Sequence, residues 1–248
     1  MRKPMRRLLV INPNTSASVT EKIETLVKEE TNNQILVETV TADFGFSYIS
    51  SRTATAIAAH AVLDAAARAI AEKTTPDAIL LACFGDPGRE ALEEMTGLPV
   101  IGFAEAGLLA ASELSSQSLV MTNGAIWCDM LWELILKLGI SDRIAGVHSI
   151  ENVANDPALI ARYVSSEAEK AGVDRVILGG AGLIPYLPEV IAQASVCVID
   201  PHRIAIQKAV ALANAHEPAT SEQDHSLTDG KMNIKGLSPL LTAALKGA

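Results

Sequence analysis

The chain is poor in several things at once. Of its 248 residues only three are cysteine (Cys83, Cys128 and Cys197), an odd and sparse count that excludes a disulfide framework and fits a reducing compartment. Aromatic residues make up 4%, too few for base-stacking platforms. Lys and Arg number 20 against 29 Asp and Glu, for a net charge of -9, and a chain so short of cations is ill suited to neutralising phosphates. Nucleic acid is therefore not an expected partner. No apolar run approaches the roughly 18 residues of a membrane span. The basic start (Arg2, Lys3, Arg6, Arg7) is followed by an apolar run, Leu8–Ile11, that stops at Asn12-Pro13-Asn14. That run falls short of the roughly 7–15 residues of a secretory signal core. The expectation is a cytoplasmic protein without a membrane partner.

What is present is a regular alternation. Apolar residues are 49% of the chain, and the length suits one to two domains of about 150 residues. Short apolar runs occur at Leu8–Ile11, Ile35–Val40, Ala78–Ala82, Val100–Phe103, Ser118–Met121, Arg175–Leu178 and Val196–Ile199. Most lack polar/apolar alternation, as strands covered on both faces do. Helical stretches separate them at Ser18–Glu30, Thr53–Glu72, Arg89–Met95, Ala125–Leu138, Pro157–Ala171 and Ile204–Ala215. In the fourth, Trp127, Met130, Leu131, Leu134, Ile135 and Leu138 keep helical spacing and read as a core stripe. The fold class is α/β with parallel sheets.

The strand ends also repeat. LLVINPNT, AILLACFGD and PVIGFAEA in the first half answer SLVMTNG, RVILGGAGL and SVCVIDPH in the second. The match places Cys83 opposite Gly180 and Val100 opposite Val196, whereas the first pair, Val10 and Val120, is more widely offset. An insert therefore lies early in the first half, and the polar segment Thr41–Ser51 is its candidate. Two similar Rossmann-like lobes related by a pseudo-two-fold follow: 1–106, completed by a C-terminal helix at 203–216, and 107–202, with 217–248 as an arm. The apolar part of that arm points to packing on this subunit or on a second copy. Ligands in such sheets bind beyond the carboxyl ends of the strands, so the residues after each run are the candidates.

After the first strand, Asn12-Pro13-Asn14-Thr15-Ser16 reads as a turn with Ser16 or Ser18 capping a helix, leaving the Asn14 amide for the cleft. After the third, Asp86-Pro87 reads as a helix N-cap and first turn. Cys83 would then face a helix N-terminus, where the dipole lowers a thiol pKa. Cys128 and Cys197 read as buried core cysteines. His202 follows the last strand and reads either as a surface residue at a helix start or as an acid/base near the cleft. Neither nucleotide fingerprints nor zinc spacings occur, so no cofactor and no metal are expected.

NPNTS together with ACFGDPG resembles the aspartate/glutamate/hydantoin racemase superfamily over about residues 7–215, and most of all its hydantoin and allantoin racemases. The resemblance implies a cofactor-independent enzyme in which two cysteines, one per lobe, work on opposite faces of a carbon α to a carbonyl. The first maps onto Cys83. The second belongs to an LGCAG-type motif that here reads Leu178-Gly179-Gly180-Ala181-Gly182, so Gly180 takes its place. The substrate would be a small carboxylate or cyclic ureide. Asn14, Ser47, Tyr48, Phe84, Gly85, Thr122, Asn123, Ala181 and Gly182 are the candidate binding residues. Two alternatives accompany this reading: a single-cysteine lyase of the arylmalonate decarboxylase type, and a non-catalytic binding protein.

Overall fold

The computed structural model describes residues 5–73, 75–150, 156–217 and 233–246. Arg2, Lys3 and the polar stretch 218–232 of the arm lie outside them. The first lobe is a parallel sheet of β1 (Arg7–Asn12), β2 (Leu36–Thr41), β3 (Ala78–Leu81) and β4 (Val100–Gly102), in the order β2-β1-β3-β4. It carries α1 (Ala17–Thr31), α2 (Arg52–Glu72), α3 (Arg89–Thr96) and α4 (Phe103–Ser112). The second lobe repeats the order with β5 (Ser118–Thr122), β6 (Ile144–Ser149), β7 (Arg175–Leu178) and β8 (Cys197–Ile199), as β6-β5-β7-β8. Its helices are α5 (Ala125–Lys137), α6 (Pro157–Ala171), α7 (Leu187–Gln193) and α8 (Pro201–Ala215).

The buried runs explain the topology. Leu8–Ile11 and Ala78–Leu81 are buried at every position, so β1 and β3 take the centre of their sheet, as β5 and β7 do in the other. Each fully buried aliphatic side chain contributes about 1.5–3 kcal/mol. One apolar cluster joins the lobes, running from Val10 and Leu80 through Phe103 to Val120, Leu131 and Ile177. Helix α8 follows the last strand of the second lobe but packs on α4, α1 and β3 of the first. Helix α9 (Pro239–Leu245) closes the described part of the arm, seating Leu241 against the α2 and α3 side of the first sheet.

Several expectations need correction. Strand β6 carries no apolar run (IAGVHS) because it is an edge strand with mostly half-buried residues. Helix α4 starts directly at the end of β4, with no turn to announce it. Cys197 is exposed rather than buried, since it opens the edge strand β8, and Cys128 is only half-buried. The insert is not confined to Thr41–Ser51: α2 has 21 residues against 15 in its counterpart α6. That helix is also long and apolar enough by composition to cross a membrane, which its scattered polar residues conceal in the sequence. Here it lays Val62, Ala65, Ala66 and Ala69 on the sheet.

The α4–α8 contact has no room to spare. A Cβ at Gly107 would sit 2.3 Å from the Pro201 Cβ and 3.0 Å from its Cα. Gly107→Ala is therefore expected to cost about 1–3 kcal/mol by overpacking. The check is the urea unfolding midpoint, and a wild-type midpoint would contradict this account of the contact.

Candidate active site

Both sheets end their central strands at one cleft, a cavity of about 200 Å³. Its walls include Asn14, Ser47, Tyr48, Cys83, Phe84, Thr122, Asn123, Gly180, Ala181 and Gly182 from among the expected residues. Val19, Ile49, Ala82, Trp127 and Leu183 complete it. Gly85 and His202 are not in the lining. No Arg, Lys, His, Asp or Glu stands among the lining residues, and the titratable groups there are Cys83 and Tyr48.

The Asn12-Pro13-Asn14 turn is built from inside. Buried Asn12 donates through Nδ2 to Asn14 Oδ1 (3.1 Å), Ser16 O (3.2 Å) and Thr20 Oγ1 (2.9 Å). Asn14 Oδ1 also accepts from Ser16 N at 2.9 Å, which leaves Asn14 Nδ2 without a partner among the described residues. Ser16 holds the N-cap place of α1 but makes no side-chain capping bond; its hydroxyl lies 3.0 Å from that of Ser18 instead.

Loop 42–51 crosses from one lobe to the other. Phe46 O accepts from Thr15 N (3.0 Å), Ile49 O accepts from Trp127 Nε1 (2.7 Å), and the Tyr48 hydroxyl donates to Asn123 O (3.3 Å). Trp127, read from the sequence as core, is buried and is at the same time a wall of the cleft.

Two aromatic rings lock the strand ends together. The Phe84 ring, next to Cys83, lies so close to Gly179 that a Cβ there would come within 2.4 Å of it. The Trp127 ring does the same to Gly85, at 2.1 Å. Gly85 therefore supports the cleft from behind and does not border the ligand space.

Asp86 departs from its expected place. Helix α3 is capped by Gly88 and begins at Arg89, while Asp86, in the left-handed region at φ 47°, turns its carboxylate to the start of α4. It accepts from Ala104 N (3.1 Å) and Glu105 N (2.7 Å), a capping arrangement worth about 0.5–2 kcal/mol. Gly102 makes the approach possible, since a Cβ there would strike the carboxylate.

Cys83 is therefore not held at a helix N-terminus, and its thiol is pushed well above the ordinary cysteine range, first by burial and then by the Asp86 carboxylate. The expected lowering is reversed. Tyr48 is likewise raised, by burial and by Cys83.

His202 is completely buried, so it is neither a surface residue nor a cleft acid/base. Its Nδ1 meets Asp200 Oδ1 at 2.8 Å, and its Nε2 accepts from Gly180 N at 3.2 Å. The Gly180 amide is thereby used, which leaves those of Ala181 and Gly182 for a ligand. Gly180 itself has φ +139°, and a Cβ there would meet only ordinary contacts, 3.7 Å from Thr122 Oγ1 and Leu183 Cδ1.

A two-lobed α/β enzyme with one thiol in an uncharged interlobe cleft is the class that this fold and site define. The Asp/Glu/hydantoin racemase family model matches residues 8–209, and the chain belongs to that family. The chain is 27% identical over 236 residues to the hydantoin racemase of Paenarthrobacter aurescens, covering 88% of this chain and 99% of that protein. The crystal structure of allantoin racemase from Pseudomonas fluorescens superposes with a TM-score of 0.79 at 24% identity, over 93% of this chain and 100% of that one. Arylmalonate decarboxylase shares the fold more distantly, with a TM-score of 0.57 at 17% identity, over 86% of this chain and 96% of that one.

The Asp86 carboxyl has a direct consequence for stability. Its pKa is pushed from 3.8 up to about 7, mainly by burial, against the opposing pull of the Glu105 and Ala104 amides. A raised folded-state pKa favours the protonated fold, so this contribution is complete below about pH 4 and is lost as the pH rises to about 7. Asp86→Asn, which keeps an acceptor oxygen, is expected to flatten that part of the curve. Urea midpoints at pH 4, 5.5 and 7 check it, and parallel declines in both proteins would contradict it.

Proposed function

We propose that this enzyme is a cofactor-independent racemase that moves a proton at the carbon α to a carbonyl of a neutral cyclic ureide, with Cys83 carrying the proton. The observation that carries this reading is the cleft lining: one thiol among amide, hydroxyl and apolar groups, with no charged side chain. A ring such as a hydantoin enters without a counter-ion. An acidic amino acid would bring two carboxylates into a cleft that has no cation to receive them, at a large desolvation cost. The similarity to a hydantoin racemase supports the same substrate class.

In this reading the thiolate of Cys83 takes the α-hydrogen. The C–H bond breaks, the S–H bond forms, and the electron pair moves onto the carbonyl oxygen as an enolate. The N–H groups of Ala181 and Gly182, the Asn14 Nδ2 and the Thr122 hydroxyl are the donors available to hold that oxygen, and such donors stabilise developing charge in a site closed to water. Return of the proton from sulfur to the same face completes exchange with retention, and inversion follows when a water proton reaches the opposite face of the planar enolate instead. Val19, Ile49, Ala82, Trp127 and Leu183 form the apolar wall for the ring substituent.

Gly180 stands where the family resemblance implies a second cysteine, so one face of the carbon has the thiol and the other has none. This same feature favours a second reading, a one-thiol lyase that protonates an enediolate after loss of carbon dioxide. The uncharged lining weighs against it, because a malonate carries two carboxylates.

Exchange of the α-hydrogen of a 5-alkyl hydantoin in heavy water, followed by proton NMR, tests the proposal. Cys83→Ala is expected to lose at least about 100-fold, the scale of positioned acid–base catalysis. The wild-type rate should climb with pH beyond the roughly 8.5 of an ordinary thiol, since the resting group is protonated. Undiminished exchange by the alanine variant would overturn the assignment, and release of carbon dioxide from a malonate without hydantoin exchange would favour the lyase. Gly180→Cys has space for its Cβ, at a backbone cost of about 1–3 kcal/mol. It is expected to raise inversion relative to exchange.

A further inference from the structure

The structure assigns His202 as a positioning residue for the cleft, acting through the Gly180 backbone. A fully buried histidine in an apolar setting needs both ring nitrogens satisfied, and here each has one partner of fixed kind. Gly180 N is a donor, so Nε2 must be the bare acceptor; Asp200 Oδ1 is an acceptor, so Nδ1 must carry the hydrogen. Asp200 is itself held, accepting from the amides of His202 (2.9 Å) and Arg203 (3.4 Å) while Arg203 Nε stands 3.5 Å from its other oxygen. The ring is fixed edge-on to Phe103, with centroids 4.9 Å apart, and lies 6.3 Å from Phe84. Phe84 in turn covers Gly179 and follows Cys83. His202 thus connects the start of α8 with both cleft turns.

The consequence is selective. By taking the Gly180 amide, His202 sets the orientation of the Gly179–Gly180 peptide that leads into Ala181 and Gly182. The titratable or charged groups facing the ring are Asp200 and, behind it, Arg203. Phe103 from α4 and Phe84 from the Cys83 turn contribute none.

This inference rests on the proton-transfer reading of the cleft, but one of its tests does not. In protein labelled with ¹⁵N-histidine, long-range ¹H–¹⁵N correlation should show His202 as the Nδ1–H tautomer at neutral pH. An Nε2–H tautomer would overturn the assignment whatever the substrate. The kinetic arm compares His202→Gln, which keeps an acceptor toward Gly180, with His202→Phe, which fills the volume without one. Hydantoin exchange by the glutamine variant should stay within about threefold of wild type. The phenylalanine variant should lose at least tenfold in kcat, with a smaller change in KM. Equal activity in a folded His202→Phe protein, or equal damage in both variants, would overturn the positioning role. If the phenylalanine variant does not fold, the tautomer and the glutamine variant decide.

Discussion

Two aromatic rings seated on two glycines set the geometry on which the site depends. Phe84 leaves the first lobe and covers Gly179 in the second; Trp127 leaves the second and covers Gly85 in the first. A Cβ at either glycine would overlap the opposing ring, so the close approach of the strand ends exists only because both positions lack a side chain. The seating is reciprocal, since each lobe gives one ring and accepts one. Trp127 does more than pack: its indole N–H holds Ile49 O, which draws loop 42–51 over the cleft and brings Tyr48 to Asn123. Cleft size, lid position and the place of Cys83 therefore share one source.

The chemistry follows from what this interlock excludes. Rings and aliphatic groups occupy much of the wall, and the polar groups that remain are amides and hydroxyls. The nearby carboxylate, Asp86, is drawn away to cap α4. His202 is drawn away to hold Gly180, and that leaves Cys83 in a setting where ionisation is disfavoured. A thiol of this kind holds its proton until a carbanion or base form is called for, which suits proton return to an enolate. In the proposed reaction the thiolate is then the scarce species, and pH would act mainly through Cys83.

Much of this was legible in the residue order, and the part that was not has physical reasons. Fully buried strands such as Leu8–Ile11 and Ala78–Leu81 declare themselves by composition, and strand ends carry ligands in parallel sheets, so Cys83, Asn14, Thr122 and the Gly180 turn could be read. The edge strand β6 could not, because a half-exposed strand needs no apolar run. Trp127 kept helical spacing with its core neighbours, and spacing does not distinguish a core contact from a cleft wall. Asp86 beside Pro87 imitates the start of the next helix, yet its carboxylate caps a helix beginning at Phe103, a partnership that only tertiary structure creates. The direction of the Cys83 shift failed for the same reason: helix α3 starts too late to act on it, and Asp86 lies nearer. His202 gave no local sign of burial, since its partners, Gly180 and Phe103, are distant in sequence.

The central claim is that a single thiol serves one face of the substrate carbon. The most direct measurement follows one enantiomer of a 5-alkyl hydantoin in heavy water, recording loss of the α-proton by NMR and loss of optical rotation in the same sample. With one thiol and glycine at position 180, exchange should outrun inversion several-fold, because the proton on sulfur is replaced by a solvent deuteron that is delivered mostly to the face the proton left. One inversion for each exchange from the first turnovers onward would contradict the account, and would require a second proton-bearing group across the cleft, for which Tyr48 is the other titratable side chain in the lining.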